Sequence, residues 1–81
     1  MTDHKGLPVS GYVAQTSEAV QMVNLNKQAE ERILRDIDLY GMNPEVDKRW
    51  LAIAKTHIEQ GFMAMNRAIF KPQRIELRED K

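Results

Sequence analysis

Residues 37–50 read IDLYGMNPEVDKRW, and the interruption in this stretch decides the fold. Upstream, from Ser17 to Tyr40, there is neither Gly nor Pro. Gly41 is the residue type that ends helices in the left-handed conformation. Asn43 is a good N-cap, Pro44 suits the first helical position, and Glu45 complements the positive end of a helix. The spacing predicts one helix over 17–40 and a second over 44–70. The link between them, Gly41 to Asn43, is short enough to fold the second helix back antiparallel to the first.

Working outward, the first helix is rich in strong helix formers, as in NKQAEERILRDIDL at 26–39. Ala19, Val23, Ala29, Ile33, Ile37 and Tyr40 recur at helical spacing and form one face. Thr16 or Ser17 can cap its start, with Glu18 in the first turn. The second helix must stop near Phe70, because Pro72 cannot continue it and restricts Lys71. Residues 1–16 hold Gly6, Pro8 and Gly11 and read as an irregular arm. The tail, 72–81, alternates polar and apolar residues over Arg74–Arg78, as an edge strand or an extended arm does. Its last residues, Glu79 to Lys81, are expected to fray. Each helix of about 25 residues is about 40 Å long.

With 81 residues the chain holds one domain, 1–81. Lys and Arg total 12, as do Asp and Glu, so the net charge is zero. A binder of DNA or RNA polymers needs a basic excess. There is no Cys for disulfides or thiolate metal sites, and His4 and His57 lie too far apart for a metal-binding spacing. No apolar run approaches the roughly 20 residues of a membrane span, and the N-terminus MTDHKGLPVSG lacks the apolar core of a signal peptide. The expected location is the cytosol.

The second helix is too apolar for one partner. Trp50, Ala54, Ile58, Phe62 (or Gly61), Met65 and Ile69 form one stripe. Val46, Ile53, Ala64 and Ala68 form another, with His57 between. A single antiparallel helix covers a stripe of roughly 100°. Gly61, Ala64 and Ala68 are small and allow close approach of another helix. The chain is too short to bury a generous core alone, so a homo-oligomer is expected, most simply built from two-fold dimers. Lys27, Arg32 and Arg35 against Glu18, Glu30, Glu31, Asp36 and Asp38 leave residues 17–40 at −2. Lys48, Arg49, Lys55, Arg67 and Lys71 against Glu45, Asp47 and Glu59 leave residues 44–71 at +2. Opposite signs suit packing.

No nucleophile–base–acid set is visible, so an enzyme is not expected. Thr56 and His57 are neighbours, about 100° apart on a helix, and do not form a dyad. Glu30 and Glu31 fail as a carboxylate pair for the same reason and read as a solvated face. Met63 and Met65 read as core filler. Three polar features remain. Tyr12, after Gly11, either anchors the arm or stacks on a base. Asn26-Lys27 interrupts the apolar stripe of the first helix, which sets register or marks a small wet pocket. Asn66-Arg67 lies near Lys71 and Arg74, a cluster that either complements a helix C-terminus or binds phosphate.

The segment NPEVDKRWLAIAKTHIEQGFMAMNRAIFKP at 43–72, the SGY at 10–12 and the NxNKxxEER run at 24–32 carry a resemblance. Together they resemble the small bacteriophage anti-CBASS cyclic-nucleotide sponge family. The resemblance implies an all-α antiparallel helical hairpin with an N-terminal arm, assembled into an interlocked hexamer in the cytoplasm of an infected bacterium. It implies a protein without catalysis or cofactor that sequesters cyclic di- and trinucleotides and so blocks antiphage signalling. The family's dinucleotide residues carry onto Tyr12 and Lys27. Its trinucleotide residues carry onto Arg67 and onto Lys71, where the family has a hydroxyl. From another class, the rival reading is a structural or regulatory helical oligomer that binds a protein partner.

Overall fold

The computed structural model describes residues 14–80 and is built on two antiparallel helices. Helix α1 spans Ser17–Gly41 and α2 spans Lys48–Phe70. A single 3-10 turn follows at Arg78–Asp80, and the described residues contain no strand. Tyr12 and the rest of residues 1–13 lie outside the described residues.

Thr16 is the cap of α1, its Oγ1 accepting from the N–H of Ala19 at 3.1 Å. At the other end Gly41 stays helical and is not the left-handed stop expected of it. Met42 caps the helix in right-handed geometry, its N–H donating to the carbonyl of Leu39 while the N–H of Asn43 donates to that of Tyr40. A Cβ at Gly41 would sit 3.7 Å from Leu51, in ordinary contact.

Helix α2 begins at Lys48, not at Pro44. Asp47 is its cap, accepting from the N–H groups of Arg49 and Trp50 at 2.9 and 3.2 Å. Asn43 instead opens a turn. Its carbonyl accepts from Val46 N–H at 3.1 Å, and its Oδ1 accepts from Glu45 N–H at 2.9 Å. Asn at the first and Pro at the second position of a turn are favoured for the same reasons that suit them to a helix start. Lys48 settles the competition by donating its ammonium to the carbonyls of Asn43 and Val46, which pins the turn.

Where α2 ends, Lys71 adopts φ 46° and ψ 56°, the left-handed region. Its N–H donates to the carbonyl of Arg67 at 2.7 Å. Pro72 has no N–H to offer the last turn, and Gln15 Nε2 donates to the carbonyl of Phe70 at 2.9 Å. The tail then runs without regular structure, so the edge-strand alternative is not realised. The final turn closes on Asp80, whose Oδ2 accepts from Leu77 N–H at 2.8 Å.

The helices meet along most of the expected stripes, with Ala19, Val23 and Ile37 of α1 and Ala54, Ile58, Phe62 and Ile69 of α2 turned inward, but not along all of their length. On α1 the buried residues are Ala19, Val23 and Ile37, with Asn26, Glu30 and Leu34 half-buried; Ile33 and Tyr40 are exposed. On α2 the half-buried row is Leu51, Ala54, Ile58, Phe62, Asn66 and Ile69, while Trp50 is 63% and Met65 47% exposed. The branched and aromatic residues bury more apolar surface against α1 than the stripe through Gly61 would.

Because successive helical residues turn by about 100°, the hairpin has two unlike broad faces. One carries Met22, Ala29, Ile33 and Tyr40 of α1 beside Trp50, Gly61, Met65 and Ala68 of α2. It is apolar and flat, and nothing lies within 4 Å of a Cβ built on Gly61. The other carries Lys27, Glu30, Glu59 and Asn66 and is grooved.

Candidate functional site

The groove of the polar face lies between the start of α1 and the end of α2 and encloses about 590 Å³. Val20 of α1, Met63 and Phe70 of α2, and Pro72 of the tail form apolar walls. Glu30, Glu59, Asn66 and Arg67 supply its polar groups, and Gln15 closes the end. Helical spacing explains the set. Glu59, Met63, Asn66 and Phe70 follow one another at three and four residues, along one flank of α2.

Arg67 is exposed and lines this groove. Its guanidinium fork is suited to a phosphate, which it can grip through two parallel N–H bonds. Lys71 stands one turn further on, tied to Arg67 through the backbone bond already described, so the two cations share the end of α2. Lys27 is exposed on the same broad face, three residues before Glu30, but it is not part of the groove wall. Arg67 alone of the three lines the groove; Lys71 follows one turn on at the end of α2, and Lys27 stands apart on α1. Lys27 is connected to them through its neighbour. Asn26 Nδ2 donates to Asn66 Oδ1 at 3.0 Å across the hairpin, and Arg67 follows Asn66.

Glu30 is half-buried in the groove wall and does not belong to a solvated face, contrary to expectation. Glu31 does face solvent, paired with Arg35 one turn on at 2.9 Å. Glu30 lies seven residues from both Val23 and Ile37, two turns along the buried side of α1, whereas Glu31 is turned about 100° away from it. A carboxylate in such a groove accepts N–H groups, including those of an exocyclic amine on a base. The place of Glu30 in the groove was not legible in the sequence, and neither was that of Glu59. The signal was the i, i+4 series from Asn26 to Glu30, whose first member already broke the apolar stripe.

Thr56 donates to its own helix at the carbonyl of Ala52, 3.2 Å away, and His57 is exposed on the apolar face. Met63 lines the groove and Met65 is exposed on the opposite face, so neither is core filler. Among the described residues no three His, Asp or Glu come together as metal ligands. Among the described residues no helix is long and apolar enough to cross a membrane.

Fold and site define a small helical-hairpin module with a mixed apolar and charged groove. Residues 7–70 match a protein family described as Acb2/Tad1, hairpin domain. The match spans most of the chain, and the protein belongs to this family, that of the anti-CBASS sponges. Neither the curated proteins nor the solved structures gave a match.

Proposed function

We propose that this protein binds cyclic dinucleotide and trinucleotide second messengers and keeps them intact, so that a CBASS effector is deprived of its signal. The family match over residues 7–70 carries this reading, because it spans the arm with Tyr12, the helix with Lys27 and the helix end with Arg67. Tyr12 and Lys27 serve a dinucleotide, Tyr by stacking on a base and Lys by meeting a phosphate. Arg67, with Lys71 beside it, serves a trinucleotide. The groove supports the second assignment, since it sets apolar walls for a base next to a guanidinium.

The working unit is a homo-oligomer, a hexamer by family resemblance, acting in the cytoplasm of an infected bacterium. The apolar face supports assembly, as does the scarcity of buried apolar side chains in the described chain, namely Ala19, Val23 and Ile37. A cyclic dinucleotide is nearly two-fold symmetric and a cyclic trinucleotide three-fold, and a dihedral hexamer contains both axes. The test is to load the protein with a cyclic dinucleotide or trinucleotide, wash it, release the ligand by heat and weigh it by mass spectrometry. Intact nucleotide is expected. Fragments would make the protein a hydrolase, and an empty protein would make it a scaffold.

A further inference from the structure

The bond between Asn26 and Asn66 is the structural feature that the ligand-binding reading leaves unused. Both side chains are half-buried where α1 meets α2, and Asn26 Nδ2 donates to Asn66 Oδ1 at 3.0 Å. Among the described residues no ion pair joins the two helices. Gln15, just before α1, adds a hydrogen bond to the carbonyl of Phe70 at the end of α2, and the contacts between the helices themselves are otherwise made by Ala19, Val23, Ile37, Ile58 and Phe62 and their neighbours. Such contacts are non-directional. Sliding one helix past the other by a turn, about 5.4 Å, exchanges one set of apolar neighbours for another. The same slide separates the two amides: in one direction it sets Asn26 against Phe62, an unfavourable place for a polar group removed from water, and in the other it brings Asn66 opposite Glu30. Only one register pairs the two amides with each other.

Sequence adjacency gives this bond a consequence at the ligand. Lys27 follows Asn26, and Arg67 follows Asn66 in the groove wall. We propose that the Asn26–Asn66 bond is a register lock, and that the two asparagines are positioning residues that hold Arg67 of α2 against the α1 wall of the groove, Val20 and Glu30. A single polar pair in an apolar helix interface is a recognised way to specify register at some cost in stability. The lock predicts an unusual separation. Removing both amides leaves the hairpin as stable as before or more so, yet impairs recognition of a cyclic nucleotide. The ligand arm of the test rests on the sponge reading, and the distance arm does not.

The chain has no Cys, so spin labels can be placed cleanly at Gln28→Cys and Gln60→Cys, both exposed positions. Labelled protein is diluted with unlabelled protein so that only distances within one chain are read. The parent should give one narrow distance. The double variant Asn26→Leu/Asn66→Leu should melt at or above the parent's temperature. It should also give a broadened or second distance and bind a cyclic trinucleotide, the ligand assigned to Arg67 in the groove, at least tenfold more weakly. Asn26→Gln, which keeps an amide donor, should stay within threefold of the parent. A double variant with the parent's single distance and the parent's affinity overturns the lock. If the parent binds no cyclic nucleotide, the sponge reading fails and the distance measurement alone decides the lock. If the double variant does not fold, Asn26→Ala and Asn26→Gln are compared instead. A broad distance for Ala with a narrow one for Gln supports the lock, and equal narrow distances overturn it.

Discussion

At the scale of single residues, the binding assignments separate by place. Lys27 stands on α1, and Arg67 lies in the groove at the far end of α2. Lys27→Ala and Tyr12→Ala should each weaken a cyclic dinucleotide strongly and leave helix content unchanged. Stacking on a base is worth about 1–3 kcal/mol. A two-fold pocket loses two such contacts per substitution, so a loss of roughly 2–6 kcal/mol follows, about 30-fold or more in Kd. Titration calorimetry beside circular dichroism reads both quantities. Arg67→Ala should weaken a cyclic trinucleotide and spare a dinucleotide; equal losses for both would mean one shared pocket. Lys71 offers a separate test. A left-handed residue with a Cβ costs roughly 1–2 kcal/mol, which glycine avoids. Lys71→Gly should therefore raise Tm by about 4–8 °C per kcal/mol gained. If Lys71 meets a phosphate, the same variant should lose trinucleotide affinity while it gains stability, and a thermal scan with and without ligand separates the two.

At the scale of the element, the contest between Asn43 and Asp47 for the start of α2 is decided by their different bonds. Asp47 holds two N–H groups of the first turn of the helix, whereas Asn43 holds the turn before it. Asp47→Ala should cost about 1 kcal/mol as a lost cap. Asn43→Ala should cost less, because Pro44 and the ammonium of Lys48 still shape the turn. Urea titrations of the two variants, followed by helix ellipticity, give the comparison. Equal midpoints would return the start of the helix to Asn43.

For the whole molecule, the two broad faces predict behaviour that neither helix shows alone. The apolar face carries Trp50, Met22 and Tyr40, all well exposed in the single chain. Light scattering at micromolar concentration should find an oligomer, and a stable folded monomer would refute assembly through this face. Gly61→Leu should disrupt assembly more than Ala52→Leu. Within one chain a Cβ at Gly61 meets nothing within 4 Å, so the larger side chain is harmless there. Any loss of assembly must arise between chains, where overpacking costs about 1–3 kcal/mol. Ala52 faces the other way, beside Lys48 and Lys55. Equal elution of the two variants on gel filtration would move the interface elsewhere.

The sequence by itself determined that there are two helices, that they are antiparallel, and which end of each is capped by Thr16 or closed by Pro72. These properties are local. They follow from propensity, capping chemistry and a link too short to allow any other arrangement, and they need no knowledge of the partner helix. The resemblance carried by residues 43–72 was likewise legible in order and spacing alone. The tertiary structure decided how far each helix is rotated about its axis. Two overlapping apolar stripes on α2 compete for α1, and periodicity cannot rank them, since both repeat at three and four. The ranking comes from packing. Leu51, Ile58, Phe62 and Ile69 turn inward and leave Trp50, Gly61 and Met65 outside. This packing sets Asn66 opposite Asn26, and the groove that forms beside them takes in Glu30, which was expected on a solvated face. The pairing of two residues forty positions apart depends on both rotations and on the register between the helices, and these exist only once the helices have packed.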